Sequence, residues 1–322
     1  SFQYDDYQEK LNNEMFNRTE IIPGIFGQYT YTYPEKFNAI AGFRADYNSV
    51  YGLLLTPRVH MRYNIDQQTA LRASAGRGYR SANILAENTG VLASSRVLHF
   101  VEDFDMEKAW NYGLNITRGF PLAAGREINA SVDFYRTDFQ NQVVVDMDRD
   151  PGAVYFYNLD GKSYANNFQA EVSLEPVERF DITLAYRYSD VKSTINGALQ
   201  EVPLTTRYKG LLTLSYSTPF RKWAIDFTGQ LNGQSRLPDT RMNPLEYQLE
   251  EYSPQYVILH AQVSKRFKWF EIYVGGENLT DFRQEDPILA PEDPFGPNFD
   301  ASMVWGPLLG RRFYTGIRYT LK

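Results

Sequence analysis

The chain has 322 residues, no cysteine and a formal net charge of −6. That balance leaves no basic stripe to neutralise phosphates, which argues against a nucleic-acid partner, and it offers no thiol nucleophile. Mean hydropathy is −0.46 although 43% of residues are apolar and 15% aromatic, and no run reaches the roughly 18 apolar residues of a membrane helix.

From the N-terminus onward the chain repeats an apolar–polar alternation, the period-two signature of strands with one greasy and one wet face. It predicts about fourteen strands, near 2–10, 19–33, 36–48, 53–64, 68–78, 107–119, 126–146, 153–175, 179–190, 204–217, 222–233, 254–266, 268–279 and 310–321. Ile128, Ala130, Val132 and Phe134 point one way, and Glu127, Asn129, Ser131 and Asp133 the other. Ordinary sandwich strands run about 5–6 residues. These reach the roughly 9–11 tilted residues that cross a bilayer. Only a closed sheet sits in lipid with every backbone group paired, so the expected fold is an all-β, transmembrane antiparallel β-barrel.

The connections alternate in length. Short turns fall at 34–36, 64–67, 121–125, 176–178, 218–221 and 267; long ones lie near 11–18, 79–106, 191–203, 234–253 and 280–309, with tips at 49–52 and 147–152. Tyr31, Tyr33, Phe37, Tyr63, Phe120, Phe180, Tyr216, Phe220, Trp223, Phe267, Trp269 and Phe270 gather beside the short turns, where amphipathic rings suit a headgroup layer. Tight turns on one side and long loops on the other are the barrel pattern, and the count puts the C-terminus on the tight-turn, periplasmic side.

No catalytic constellation stands out, and the expectation is that the protein is not an enzyme. His60, His99 and His260 lack partners at metal-ligand spacing, and no Gly-x-Ser-x-Gly elbow occurs. Asp146, Asp148 and Asp150 alternate like the start of a calcium loop, but Gly152 is one place late and Tyr157 stands where a Glu belongs. A hairpin tip also requires Asp, Pro and Gly, and the mismatches favour the tip. Arg44, Arg58, Arg62 and Arg72 fall on inward positions of neighbouring strands. They read either as a basic wall facing a plug or drawing in an anion, or as an ordinary polar lumen balanced by Asp46, Glu107 and Asp133. Loops 79–106 and 280–309 offer Asn83, Glu87, Phe295 and Trp305 as candidate ligand contacts, because long loops often carry function and aromatic side chains anchor well.

Three stretches carry a family resemblance. LRASAGRGYRSAN from Leu71 to Asn83, ENLTD from Glu277 to Asp281 and GRRFYTGIRYTL from Gly310 to Leu321 resemble strand entries, the penultimate-strand exit and the closing strand of TonB-dependent outer-membrane receptors. Gly316, Tyr319 and Leu321 resemble the terminal signal read by the barrel-assembly machinery, although Leu321-Lys322 replaces the usual final aromatic. The resemblance implies that residues 1–322 form the C-terminal portion of a plugged barrel of about 22 strands, its plug domain and first strands lying outside this chain. It further implies a ligand-gated importer in the outer membrane of a Gram-negative bacterium. The ligand class is a scarce bulky nutrient such as a metal chelate (siderophore or corrinoid), and TonB supplies the energy. The expected partners are the TonB energy-coupling complex, the plug and remaining strands, outer-membrane lipid, the barrel-assembly machinery and a small-molecule ligand, with no cofactor. Two alternatives stay open: a receptor or adhesin that does not transport, and a passive porin closed by these strands alone.

Overall fold

A computed structural model describes residues 1–12 and 14–320. Its strands are β1 (Phe2–Leu11), β2 (Glu14–Tyr33), β3 (Phe37–Asn48), β4 (Gly52–Asn64), β5 (Thr69–Arg80), β6 (Val97–Phe100), β7 (Glu107–Pro121), β8 (Glu127–Asn141) and β9 (Val143–Asp146). They continue as β10 (Ala153–Asn158), β11 (Ser163–Val177), β12 (Phe180–Ile195), β13 (Ala198–Glu201), β14 (Tyr208–Ser217), β15 (Trp223–Asn232), β16 (Tyr256–Arg266), β17 (Phe270–Glu277) and β18 (Arg312–Tyr319). Among the described residues one short α-helix, α1 (Ile84–Glu87), and four short 3-10 helices lie between the strands.

Fourteen strands, all but β6, β9, β10 and β13, pair in chain order into one sheet, and every neighbouring pair is antiparallel. The register converts the sequence alternation into two chemically distinct faces. One row across the sheet reads Met61, Ala73, Leu114, Phe134, Phe168, Tyr188 and Tyr208. A row on the other face reads Arg62, Arg72, Asn115 and Asp133. Apolar side chains stay bare on the first face, with Ile25 76% and Leu184 56% exposed. A contiguous apolar surface of this size needs a non-aqueous neighbour, and a lipid-facing barrel wall supplies one. On β12 the apolar face runs from Phe180 to Tyr188 before Asp190 and Lys192 end it. That is roughly 26 Å along the strand, or about 20 Å across a bilayer at the tilt of barrel strands. Among the described residues β1 and β18 each pair on one side only. The strands therefore do not close on one another, contrary to the alternative of a porin sealed by these strands alone.

The tight turns follow from local backbone chemistry. Glu35 and Arg179 take left-handed φ values of 60° and 68° between strands, and Asn196-Gly197 (φ 50° and 76°) makes the two-residue hairpin joining β12 to β13.

Two expected strands are interrupted. The segments 126–146 and 153–175 read as continuous, yet β8 ends at Asn141 and β11 begins at Ser163. Between them β9 and β10 leave the main sheet and join β6 in a separate sheet ordered β6-β10-β9, with β6 parallel to β10. The breaks do leave marks, since Val143-Val144-Val145 interrupts the alternation and Asp160-Gly161 is a turn pair, and the expected strands run through both. The partner of β10 is β6, drawn from a loop that carried no strand expectation.

The buried core lies in this accessory layer at the long-loop end. Ala82, Ile84, Val91, Met147, Val154, Phe156 and Met303 pack together, with Phe100, Val145 and Leu249 against them. Four loops far apart in sequence contribute to it.

Candidate ligand-binding rim and lumen wall

The rim is assembled by hydrogen bonds from the wall to the loops. Arg18 on β2 ion-pairs with Glu20 and donates to the Ala82 carbonyl and Asn83 Oδ1, each at 2.9 Å. Buried Glu20 also accepts from Asn48 at 2.5 Å and Ser81 at 2.9 Å. Glu9 on β1 accepts the backbone N–H of Leu85 at 3.0 Å and of Ala86 at 2.5 Å at the start of α1. Glu87 pairs with Arg80 at 3.1 Å. Asn83 and Glu87, expected as ligand contacts, are thus engaged in holding their own loop to the wall.

The two longest loops are joined to each other. Arg96 and Asp300 form an ion pair at 2.7 Å with side chains only 2% and 5% exposed. Backbone bonds flank it, from Ser95 N–H to the Phe299 carbonyl and from Ala301 N–H to the Ala93 carbonyl, both 2.9 Å. Arg96 also donates to the Met147 carbonyl at 3.1 Å, which ties in the 147–152 tip. Asp148 in that tip accepts two bonds from Arg236, at 3.1 and 2.7 Å, and the Asp239 N–H at 2.9 Å, which ties in loop 234–253. At the outer surface Tyr247 donates to Glu292, and this bond pushes the phenol up to about 12 while holding the carboxyl below its usual range.

Aspartates 146, 148 and 150 serve these turns. Asp146 accepts the N–H of Asp148 and Arg149 and the Tyr157 hydroxyl, and Asp150 accepts the Gly152 N–H. No group of three or more potential metal ligands clusters among the described residues.

Beside the Asp148–Arg236 pair lies a cleft of about 560 Å³, lined among others by Lys192, Glu201, Asp239, Arg241, Glu251 and Tyr252. Sequence reasoning missed it, because its walls come from β12, β13 and loop 234–253. The Asn196-Gly197 hairpin signal would have revealed β13. Asp239 is held below the usual carboxylate range, first by its bonds from Arg241.

The two aromatic candidates separate. Phe295 is 99% exposed at the tip of its loop. Trp305 packs with Tyr256 and Phe282, whose rings stack 4.4 Å apart, and its backbone N–H donates to Gln284 Oε1 at 2.8 Å.

On the polar face of the wall the four arginines share one side of β3, β4 and β5. Arg44 pairs with Asp46 at 2.6 Å. Arg58 donates to Gln28 at 2.9 Å, Arg62 to Asn64 at 3.0 Å, and Arg72 to Asn115 at 2.7 Å. Asn115 relays to Asp133 at 2.7 Å, whereas Glu107 pairs with Arg80 at the rim. Among the described residues Arg58, Arg62 and Arg72 have no carboxylate at ion-pair distance, and a cavity of about 360 Å³ opens beside Arg62, Arg72, His60 and Asn115. His260 faces Thr228 across the sheet, and His99 stacks on Tyr155 at 4.8 Å. Gly316 lies opposite Tyr273, whose ring occupies the space a Cβ would need, and Tyr319 pairs with Phe270. Leu321 falls outside the described residues.

Comparison with known proteins adds independent findings. A family model described as TonB dependent receptor-like, beta-barrel matches residues 2–279. A mutant ferric enterobactin receptor from Pseudomonas aeruginosa, solved with enterobactin, is 16% identical with a TM-score of 0.69 over 94% of this chain and 45% of its own. The siderophore receptor PirA from Acinetobacter baumannii gives 16% and 0.69 over 94% and 46%, and the copper transporter OprC 13% and 0.69 over 99% and 51%. The chain spans about half the length of these solved structures. No curated protein sequence matches it.

Proposed function

As the chain belongs to the TonB-dependent receptor-like β-barrel family, we propose that it forms wall and outer rim of a ligand-gated outer-membrane importer. Its ligand is a scarce bulky metal chelate of the siderophore or corrinoid class, and TonB supplies the energy through a region outside these residues. The long loops face outward and the short turns and C-terminus face the periplasm. The barrel-assembly machinery inserts the wall through its last strand, Gly316 and Tyr319 included. The polar face holds a plug domain, whose carboxylates meet Arg58, Arg62 and Arg72; these guanidiniums need anionic partners to offset their desolvation.

The observation that carries the reading is the joined rim. Four loops share one core and a buried Arg96–Asp300 pair, so they form a preorganised surface over the polar face. Preorganisation lowers the ordering cost of capturing a dilute ligand. The chemistry is binding and gating, with no bond made or broken. Uptake of radiolabelled ferric siderophores and cobalamin by cells expressing the protein, with and without TonB, tests it. TonB-dependent accumulation of one chelate is expected. Surface binding without accumulation would favour the non-transporting receptor.

A further inference from the structure

The opposite end of the sheet carries a feature the import reading does not use. Lys265 sits on the apolar face, in register with Trp223 on one side and Ile272 on the other. The row above it on the same face is Ile225, Val263 and Val274. A lysine on this face lies at the edge of the hydrocarbon, where a bare ammonium is costly unless it reaches a polar layer. Its Nζ lies 4.6 Å from the Trp223 ring centroid and 5.2 Å from that of Phe267, so both rings hold it in place.

Two turns converge beside it. Arg266 N–H donates to the Lys222 carbonyl at 2.9 Å, which draws the 218–222 turn against the 267–269 turn. Arg221 and Lys222 occupy the first, and Lys268, with Nζ 5.1 Å from the Trp269 ring, occupies the second. On the opposite, polar face Glu178 pairs with Arg179 and Glu271 with Arg266 and Arg318, and Arg221 lines a cavity there with Asp181 and Asp226. Among the described residues Lys222, Lys265 and Lys268 have no carboxylate at ion-pair distance. Phe220 and Arg221 both take left-handed φ, 60° and 52°, and Phe220 is 90% exposed. Left-handed backbone is strained for residues other than glycine, and the turn holds the Phe220 ring out from the sheet.

We propose that Lys265, Lys268 and Lys222 form a binding site for the phosphate of an anionic glycerophospholipid in the leaflet at the short-turn rim. The phosphate sits among the ammonium groups while the acyl chains lie along Trp223, Ile225 and Val263. The inference rests on the membrane placement of this sheet but on neither the ligand nor the transport step.

The test uses the full protein in nanodiscs and follows quenching of tryptophan fluorescence by brominated lipid. Brominated phosphatidylglycerol is compared with brominated phosphatidylcholine, each as a minor component. The native protein is expected to enrich phosphatidylglycerol at Trp223 and Trp269, and Lys265→Met with Lys268→Met should reduce the preference by about fivefold for each lysine removed. Lys265→Arg should retain it. An unchanged preference in the double variant, with unaltered heat-modifiability on gels, would overturn the site. Full reversal by millimolar inorganic phosphate would reassign it to free phosphate and overturn the lipid. Quenching by neither lipid would remove the sheet from the bilayer and the site with it; quenching by both equally would overturn the site alone.

Discussion

Removing the Asp300 carboxylate leaves the Arg96 guanidinium buried with only carbonyl partners, Met147 at 3.1 Å and Ala153 at 3.5 Å. Breaking one side of a buried pair typically costs about 3–5 kcal/mol, because the remaining charge is left uncompensated. The two residual bonds put Asp300→Ala at the lower end. Asp300 also accepts the Ser302 N–H at 2.7 Å and its hydroxyl at 2.6 Å, so the 300–302 turn loosens with it. The penalty falls on the rim and not on the wall, whose strands make no bond to this pair. Hydrogen exchange at single amides therefore reads it better than a global melt. The amides of Ser95 and Ala301, which bridge the two loops, should exchange about 100-fold faster or more at the cost stated, while those of β12 and β14 stay protected. Arg96→Met with Asp300→Leu removes both charges and should recover most of the protection. Unchanged exchange at Ser95 and Ala301 in Asp300→Ala would refute the claim that this pair holds the rim together.

Leu212 lies between Leu184 and Gly229 on the apolar face, so Leu212→Arg should cost about 2–4 kcal/mol in a bilayer folding titration if it sits at mid-membrane depth; a cost near zero would reverse the face assignment. Phe295→Ala should weaken chelate binding by about 1–2 kcal/mol without changing heat stability, since Phe295 touches solvent and not the core, and equal affinity would remove it from the site. Trp305→Ala should instead disturb the rim through Tyr256 and Phe282, seen as faster exchange at the Trp305 and Gly306 amides that Gln284 holds. The Tyr247–Glu292 tether has a defined pH window. Glu292 is depressed, so its contribution is present above the ordinary glutamate range and is lost as pH falls through the lowered value; Tyr247 is raised to about 12, so its contribution is present below the ordinary tyrosine range and is lost as pH climbs towards 12. An ultraviolet titration should lose one phenol ionising near 12 in Tyr247→Phe, and an identical titration curve would argue against the bond.

Strand positions, face and turn side were legible because each is local. Consecutive side chains alternate on any extended backbone, so Ile225, Phe227 and Leu231 mark the greasy face of β15 before any partner is known. The arginine ladder was legible for the same reason: Arg58 and Arg62 share a face by parity, and two tight turns place Arg44 and Arg72 beside them. Strand ends were less so. β2 begins at Glu14 and β12 reaches Ile195, because pairing with a neighbour extends a strand past the point where its alternation fades.

The rim was beyond sequence reasoning. Arg96 and Asp300 meet across 204 residues, and no periodicity links them; β6 finds β10 by a parallel pairing that neither segment advertises. Asn83 and Glu87 looked available for ligand because polar loop residues usually face water, and only the folded chain shows Arg18 and Arg80 beside them. By itself the sequence determined a two-faced sheet, since side-chain alternation is a property of each residue and its neighbours. Which loop charges are free and which are consumed was decided by the tertiary structure alone, because a carboxylate's role depends on what long-range packing brings within hydrogen-bond distance of it.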